Sequence, residues 1–502
     1  MLTQRRSGIL LHPTSLPGNQ PIGSLGQEAY DFVDFLVAAG QTVWQILPLG
    51  PVGYGNCPYS SVSAFAGNPL LINLDLLIES GDLKESDRPI FPAAETGADF
   101  DSAFNTLIPV LNRAALRFQQ TGAPQRQHAF EIFCTEHSDW LDDYALFVTI
   151  AEHLRLDNWY EWPTELRQRQ QEALDGLKDE YKETLYQHKY RQFVFFEQWA
   201  RLKHYANERG IKIFGDLPIF VAENSADIWA NRDQFSLDEN DRPTLVAGVP
   251  PDYFSDTGQR WGNPLYRWEQ VLADDFSWWI LRFRWNFELF DLLRVDHFRG
   301  FSACWAIPAE EPTAINGYWL ETPGEELFTR LQQEFGSLPI VAEDLGMITP
   351  DVEQLRDQFH FPGMKILQFA FDSGPDNPYL PANHVENSVI YTGTHDNNTS
   401  LGWWDSLDDA AKQQVRDYLH NPCNDMPWPL IETALSSVAN LAIIPLQDFL
   451  SLGEEGRMNI PGEAIGNWQW RFLPRDTTAE LAQRINAMSH LYGRNLCITT
   501  EI

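Results

Sequence analysis

The most chemically suggestive residues of this chain are Arg294, Asp296 and His297, which follow the apolar pair Leu292-Leu293. In a β-strand alternate residues share a face, so Arg294 and Asp296 are predicted to point the same way, and Val295 and His297 the other way. An arginine within a few Å favours the charged form of an aspartate, which would keep Asp296 available as a nucleophile. The same pair is equally typical of a structural ion pair that closes a strand. These residues alone do not decide between the two interpretations.

Three further carboxylates, Asp216, Glu343 and Asp396, also follow short apolar runs. Cleavage of a glycosidic bond with retention needs one carboxylate as nucleophile and one carboxylic acid as proton donor, about 5–5.5 Å apart. Asp296 and Glu343 are candidates for these two roles. Burial and neighbouring carboxylates should raise the pKa of Glu343, as a general acid requires. Asp396 would supply a fixed negative charge to an oxocarbenium-like transition state.

Short apolar runs that end on polar residues recur along the chain and alternate with helical patterns. Eight of them are visible, at residues 8–11, 42–47, 211–214, 292–296, 339–342, 364–369, 389–392 and 441–444. Eight strand-and-helix units predict an α/β fold of the (β/α)₈ TIM barrel type. In such barrels the catalytic groups lie at the carboxyl ends of the strands, and that is where all four carboxylates fall.

Two intervals are too long for ordinary barrel loops and are predicted to be insertions into one catalytic barrel that spans residues 1–502. Residues 76–188, between the second and third strands, are charged and helix-prone, which indicates a helical insertion. Residues 226–268, between the third and fourth strands, are rich in Pro, Gly, Asp and aromatic residues and are predicted to form a loop-rich insertion near the site. The stretch from Pro250 to Trp261 within it is our candidate for a lid.

The composition excludes several classes of partner. The chain has 70 acidic and only 36 basic residues, and its net charge of −34 repels phosphate backbones and anionic lipid. No apolar run approaches the length of a membrane span, and no signal-peptide pattern is present. The five cysteines are scattered without a C-x-x-C pair, as in proteins of a reducing compartment. We therefore expect a soluble cytoplasmic protein, monomeric, that binds neither nucleic acid nor membranes and needs no cofactor.

A metal site is an alternative use of His297, His395 and Asp396. His395 and Asp396 are adjacent, however, and adjacent residues of a strand face opposite ways. One ion would reach both only if they lay in a loop, so we expect no metal.

Four motifs occur in the order of the four sequence regions of the α-amylase clan, at residues 215–222 (GDLPIFVA), 294–300 (RVDHFRG), 341–346 (VAEDLG) and 392–397 (TGTHDN). The residues of these motifs resemble those of one branch of that clan, the 4-α-glucanotransferases of glycoside hydrolase family 77, also called amylomaltases or disproportionating enzymes. Further matches extend the resemblance over essentially the whole chain, at residues 58–59, 63–69, 261–266, 458–459 and 467–471.

Carried to the matching positions, the resemblance implies that Asp296 is the nucleophile, Glu343 the general acid/base and Asp396 the stabiliser of the transition state. It also implies a set of substrate-binding residues: Tyr59, Asp216, Trp261, Arg294, His297, His395 and Tyr54. Tyr59 and Asp216 would line the glucose site whose bond is broken. Trp261 would cover the acceptor side, and Tyr54 would belong to an outer aromatic surface for glucan.

The activity that the resemblance implies is transfer of a segment of a 1,4-α-D-glucan to the 4-OH of an acceptor glucose or glucan through a covalent glycosyl-aspartate. The expected partners are α-1,4-glucans and malto-oligosaccharides. The carboxylates cannot separate this activity from α-glucan hydrolysis, because only the second attacker differs. A catalytically silent glucan-binding scaffold is a third interpretation. If Arg294 serves the nucleophile, its replacement by Ala should reduce turnover more than stability.

Overall fold

The computed structural model describes residues 4–91, 97–156, 158–251 and 255–495. The strands in these residues are β1 (Arg6–Leu10), β2 (Val43–Gln45), β3 (Lys212–Pro218), β4 (Leu245–Val249), β5 (Gln259–Pro264), β6 (Leu292–Asp296), β7 (Ala303–Pro308), β8 (Tyr318–Glu321), β9 (Ile340–Ala342), β10 (Gly363–Ile366), β11 (Ser388–Tyr391) and β12 (Leu441–Pro445). An eight-stranded parallel sheet has the order β10-β11-β12-β1-β2-β3-β6-β9. Its two edges meet where the N–H of Ala342 donates to the carbonyl of Pro362 at 2.9 Å. The predicted (β/α)₈ barrel is therefore confirmed.

The eight predicted apolar runs coincide with the eight parallel strands. Strands such as β2, β11 and β12 are buried at every position, as in parallel sheets that are covered on both faces. Continuous burial produces a continuous apolar run, so each strand is visible in the sequence. The sixth run extends in the sequence to residue 369, but β10 ends at Ile366 and a 3₁₀ turn follows it.

Helices surround the barrel and fill the interval between β2 and β3. They are α1 (Gln27–Ala38), α2 (Leu74–Glu79), α3 (Phe100–Thr121), α4 (Pro124–Glu136), α5 (Ser138–Leu154), α6 (Thr164–Arg167), α7 (Gln171–Glu180), α8 (Lys182–Glu208), α9 (Ala226–Ala230), α10 (Trp268–Ala273), α11 (Ser277–Leu289), α12 (Gly324–Phe335), α13 (Pro350–Gln358), α14 (Ser400–Ser406), α15 (Asp409–Leu419), α16 (Trp428–Ser436), α17 (Leu446–Phe449) and α18 (Ala479–Leu491). Helix α1 buries Ala29, Phe32, Val33 and Leu36, which is the 3.6-residue apolar stripe of a helix that covers a core.

Residues between β2 and β3 are mainly helical, from α2 to α8. Aromatic side chains join this helical part to the barrel: Trp140 of α5 lies 5.7 Å from Trp285 of α11, ring centre to ring centre. Helix α8 starts inside the predicted insertion and continues to Glu208, beyond residue 188. Residues 92–96 and 157 of this interval lie outside the described residues, and the insertion bounds 76–188 stay a prediction.

The segment 226–268 contains more regular structure than the loop-rich composition indicates. Strands β4 and β5 from this segment form an antiparallel sheet with β7 and β8, in the order β5-β4-β7-β8. A Cβ atom at Gly248 would lie 2.2 Å from the carbonyl oxygen of Gln259, so this close pairing requires glycine. The partner strands come from residues 303–321, and local composition carries no signal for so distant a pairing. Residues 252–254 of the candidate lid lie outside the described residues.

Candidate active site

The barrel register places three motif carboxylates at the carboxyl ends of neighbouring strands. On β3 and β6, Asp216 pairs with Arg294 and Pro218 with Asp296. On β6 and β9, Arg294 pairs with Val341, which puts Glu343 one residue beyond the last strand residue. Parallel strands in register therefore bring Asp216, Asp296 and Glu343 to one end of the barrel.

Arg294 is the central cation of the site and contacts two carboxylates. Its Nη1 donates to both oxygens of Asp216, at 2.9 and 2.7 Å, and its Nη2 lies 2.8 Å from Oδ1 of Asp296. The hydroxyl of Tyr59 donates to Oδ2 of Asp216 at 2.8 Å. The Asp216 side chain is fully buried, whereas that of Asp296 is 28% exposed. Arg294 thus contacts both oxygens of Asp216 through one nitrogen and orients Asp296 through the other, while the carboxylate of Asp296 stays accessible.

Glu343 occupies a buried position next to this cluster. Its Oε2 accepts a hydrogen bond from the N–H of His297 at 2.7 Å, and its Oε1 accepts one from the N–H of Leu345 at 3.0 Å. Burial raises the pKa of Glu343 to about 8, with Asp296 adding to the increase and Arg294 opposing it. Glu343 therefore holds a proton at neutral pH.

His297 departs from the alternation predicted for the strand. Its φ of 50° lies in the left-handed region, so the chain turns immediately after Asp296. The imidazole ring meets the indole of Trp261 edge-on, with the ring centres 4.8 Å apart. Burial lowers the pKa of His297 to about 4, so the ring is neutral across the physiological range. Its Nε2 has no hydrogen-bond partner among the described residues.

Asp396 and His395 lie on the loop that follows β11. Oδ1 of Asp396 accepts a hydrogen bond from Nδ2 of Asn459 at 2.6 Å, and its Oδ2 lies 3.3 Å from Nε2 of His395. The carboxylate is 44% exposed. The ring of Tyr59 stacks on His395 with centres 5.3 Å apart. Burial lowers the pKa of His395, which leaves a neutral ring beside Asp396.

Asp448, at the end of the barrel beyond β12, holds this loop at both ends. Its Oδ2 accepts hydrogen bonds from the hydroxyls of Thr392, at 2.5 Å, and Ser400, at 2.6 Å, and its Oδ1 accepts from the N–H of Ser400 at 2.7 Å. These two residues flank the loop that carries Asp396. A fully buried carboxylate with three donors is costly to displace, so Asp448 anchors both ends of the loop.

Nine of the ten sequence-predicted residues are linked by the contacts described above, and the role of Tyr54 on an outer surface stays a prediction. Tyr54 is 79% exposed on a short 3₁₀ turn, and its side chain has no hydrogen bond to the described residues. Asn459 and Asp448 contact the site loop without having been assigned a role from the sequence. The motif at residues 458–459 was the available signal for Asn459, whereas Asp448 was visible only as a polar residue at a strand end.

The structure bears on two other classes of function. Within residues 4–91, 97–156, 158–251 and 255–495, no three His, Cys, Asp or Glu side chains are grouped as the ligands of one metal ion would be. Within the same ranges, no helix has both the length and the apolar surface needed to cross a bilayer.

Comparisons with known proteins agree in family and fold. The sequence profile of glycoside hydrolase family 77, described as 4-alpha-glucanotransferase, matches residues 11–476. The 4-alpha-glucanotransferase of Thermus thermophilus is 49% identical, with 98% of this chain and 99% of the relative covered. That of Synechocystis sp. is 50% identical, with 99% of both chains covered.

A solved structure extends this agreement to three dimensions. The amylomaltase from Streptococcus agalactiae in complex with acarbose superposes with a TM-score of 0.95 at 38% identity, covering 98% of this chain and all of the other. The relatives are transferases, which favours transfer over hydrolysis for this chain. With the barrel, the carboxylates at its strand ends and matches over nearly the full length, this chain belongs to the 4-alpha-glucanotransferase family, glycoside hydrolase family 77.

Proposed function

We propose that this chain moves a segment of a 1,4-α-D-glucan to the 4-OH of an acceptor glucose or glucan by a retaining double displacement. Asp296 is the nucleophile, Glu343 the general acid/base and Asp396 the stabiliser of the transition state. The observation that carries this proposal is the contrast between two carboxyl groups at adjacent strand ends. Asp296 is accessible and contacts Arg294, whereas Glu343 is buried with its pKa raised to about 8. Contrasting environments of this kind separate a nucleophile from a proton donor.

In the first displacement, a carboxylate oxygen of Asp296 attacks the anomeric carbon of the donor sugar. The bond from that carbon to the glycosidic oxygen breaks as Glu343 gives its proton to the oxygen, so the leaving glucan departs with a free 4-OH and Glu343 becomes a carboxylate. In the second displacement Glu343 takes the proton of an acceptor 4-OH, whose oxygen attacks the same carbon and releases Asp296. Two inversions give net retention.

Asp396 acts on the charge that develops in the sugar ring. Its carboxylate is held by Asn459 and flanked by His395, so it faces the developing oxocarbenium ion without reorganising. His395 and Tyr59, stacked on each other, offer a flat polar wall to the sugar that is cleaved. Arg294 holds Asp216 and Asp296 in fixed positions, and Trp261 covers the acceptor side.

Transfer rather than hydrolysis requires that an acceptor sugar reaches the glycosyl-aspartate before water does. We assign this role to the lid between Pro250 and Trp261, because Trp261 contacts His297 beside Asp296. The substrates are proposed to be α-1,4-glucans and malto-oligosaccharides. An amylomaltase at 38% identity was solved with acarbose, and we propose that this chain takes a ligand of the same kind at the ends of β6 and β9.

We also propose that the chain acts as a monomer in the cytoplasm, with the insertions 76–188 and 226–268 as parts of one catalytic barrel. The cysteines of the described residues, Cys57, Cys134, Cys304 and Cys423, are unpaired. Free thiols suit a reducing compartment.

Incubation with maltotriose tests the proposed reaction. Transfer produces a ladder of longer and shorter oligosaccharides with a constant number of reducing ends, whereas hydrolysis increases that number. Asp296→Asn should abolish ladder formation and leave binding of maltotriose intact, since the amide is isosteric but not nucleophilic. Asp417→Asn, on the exposed side of α15, is the matched control and should behave as wild type. Full activity of Asp296→Asn would refute the assignment of the nucleophile.

A further inference from the structure

Two tryptophans stand out from the eighteen in this chain, all of which lie in the described residues. Only Trp261 and Trp319 are exposed, at 39% and 37%. Trp261 belongs to β5 and Trp319 to β8, which are the two edge strands of the antiparallel sheet. Trp261 lies beside His297 in the active site, whereas Trp319 has no role in the site described above.

The ring of Trp319 is held rigidly from one side. The guanidinium of Arg299 lies over it, 3.7 Å from the ring centre, and Trp305 meets it edge-on at 5.1 Å. Arg299 is itself fixed, because its Nη1 donates to the carbonyl of Met347 at 2.7 Å and to the hydroxyl of Thr349 at 3.2 Å. The contacts cover one face and one edge of the indole. The remaining exposed surface of Trp319 is a preorganised aromatic platform.

The residues that support Trp319 lie close in the sequence to the catalytic carboxylates. Arg299 lies three residues after Asp296, and the N–H of Phe298 donates to the carbonyl of Glu343 at 3.0 Å. Met347, which Arg299 contacts, lies four residues after Glu343 on the same loop and is 56% exposed. The platform therefore borders the loop of the proton donor. The leaving glucan and the acceptor glucan both occupy that side, because Glu343 serves the glycosidic oxygen.

We propose that Trp319 forms an outer acceptor-side subsite, in which the apolar face of a glucose unit of a longer glucan stacks on the indole that Arg299 supports. Trp261 contacts the first acceptor sugar beside His297, and Trp319 contacts a later one. The inference rests on the proposed transferase function and makes Trp319 a determinant of acceptor length. A single glucose acceptor does not reach this ring.

Acceptor-length kinetics test the subsite. The initial rate of transfer from one fixed donor is measured to ¹⁴C-labelled glucose, maltose, maltotriose and maltotetraose. Trp319→Ala should raise KM for the longer acceptors by about three- to tenfold, the value of one aromatic stacking contact, and leave KM for glucose unchanged. Trp319→Phe, which keeps a ring, should recover part of the loss. Tyr418→Ala, an exposed aromatic on α15, is the control and should leave every acceptor unchanged.

Two outcomes would overturn the proposal. Trp319→Ala with the wild-type dependence on acceptor length would show that no sugar contacts this ring. An equal loss for glucose and maltotetraose would show that Trp319 only supports the fold around Glu343, and the Phe variant gives the same distinction if the Ala variant does not fold. Failure of the proposed function is recognised separately, because wild-type protein would then transfer nothing to glucose.

Discussion

Replacing Glu343 by Gln tests the proton on Glu343 in two ways, through the pH dependence of stability and through transfer activity. In the folded protein Glu343 has a pKa of about 8, above its ordinary value of 4.5, because it is buried beside Asp296. The folded state therefore holds a proton that the unfolded state releases above pH 4.5. The stability that this proton contributes is fully present below pH 4.5 and is lost as the pH rises through 8. Gln is neutral at every pH and shows no such loss.

The magnitude follows from the size of the pKa change. At 1.36 kcal/mol for each unit of pKa, wild type loses about 3 kcal/mol of stability between pH 4.5 and pH 7 that Glu343→Gln does not lose. The Gln side chain has one carbonyl oxygen, so one of the N–H groups of His297 and Leu345 loses its acceptor, at a cost of about 1–3 kcal/mol at all pH values. We expect the variant to be less stable than wild type near pH 4.5, and we expect its stability relative to wild type to increase steadily toward pH 7.

The assay is denaturant unfolding of both proteins across this pH range, followed by far-UV circular dichroism, together with transfer activity on maltotriose. Activity should fall by about 10²–10⁴-fold, the usual contribution of a general acid or base. Glu326→Gln, on the exposed side of α12, is the matched control and should show the wild-type pH dependence.

A constant difference in stability between Glu343→Gln and wild type from pH 4.5 to pH 7 would refute the reasoning. It would mean that Glu343 is ionised in the folded protein at neutral pH. The wild-type rate should also decline above about pH 8, as the proton donor is lost.

Two further substitutions test the neighbouring groups. Arg294→Ala leaves Asp216 buried without its arginine partner, so the structure changes the expectation of a mainly catalytic effect. Stability should fall by about 3–5 kcal/mol along with the rate, and melting at an unchanged temperature would contradict this. Trp261→Ala should increase the release of reducing ends relative to ladder formation from maltotriose, because water reaches Asp296 more easily when the indole beside His297 is removed. An unchanged ratio would argue against the lid.

Much of the fold was predictable from the sequence because parallel strands buried on both faces leave continuous apolar runs. Strand β12 is buried at all its positions, and the corresponding run at residues 441–444 was visible without any partner strand. The carboxylates Asp216, Asp296 and Glu343 were also recognisable, since each follows such a run. In a barrel of parallel strands in register, residues at equivalent ends lie together.

The tertiary structure alone decided what these residues contact. Arg294 was predicted beside Asp296 because strand alternation is local, but it also contacts both oxygens of Asp216, which lies 78 residues away in the chain. The antiparallel sheet was missed for the same reason, since β7 pairs with β4 from a different loop and β8 pairs with β7. Local alternation also failed at His297, whose left-handed φ turns the chain.

The sequence by itself determined the barrel, its family and the carboxylates at its strand ends. Buried strands leave short apolar runs, and the motifs that follow them can be read directly in the sequence. Only the folded chain decided that Asp448 closes the loop of Asp396 and that Arg299 supports an exposed Trp319. Hydrogen bonds and ring contacts between distant residues leave no periodic signal in the sequence. They arise when the strands are brought into register, and only then are the protonation of Glu343 and the surroundings of Asp296 defined.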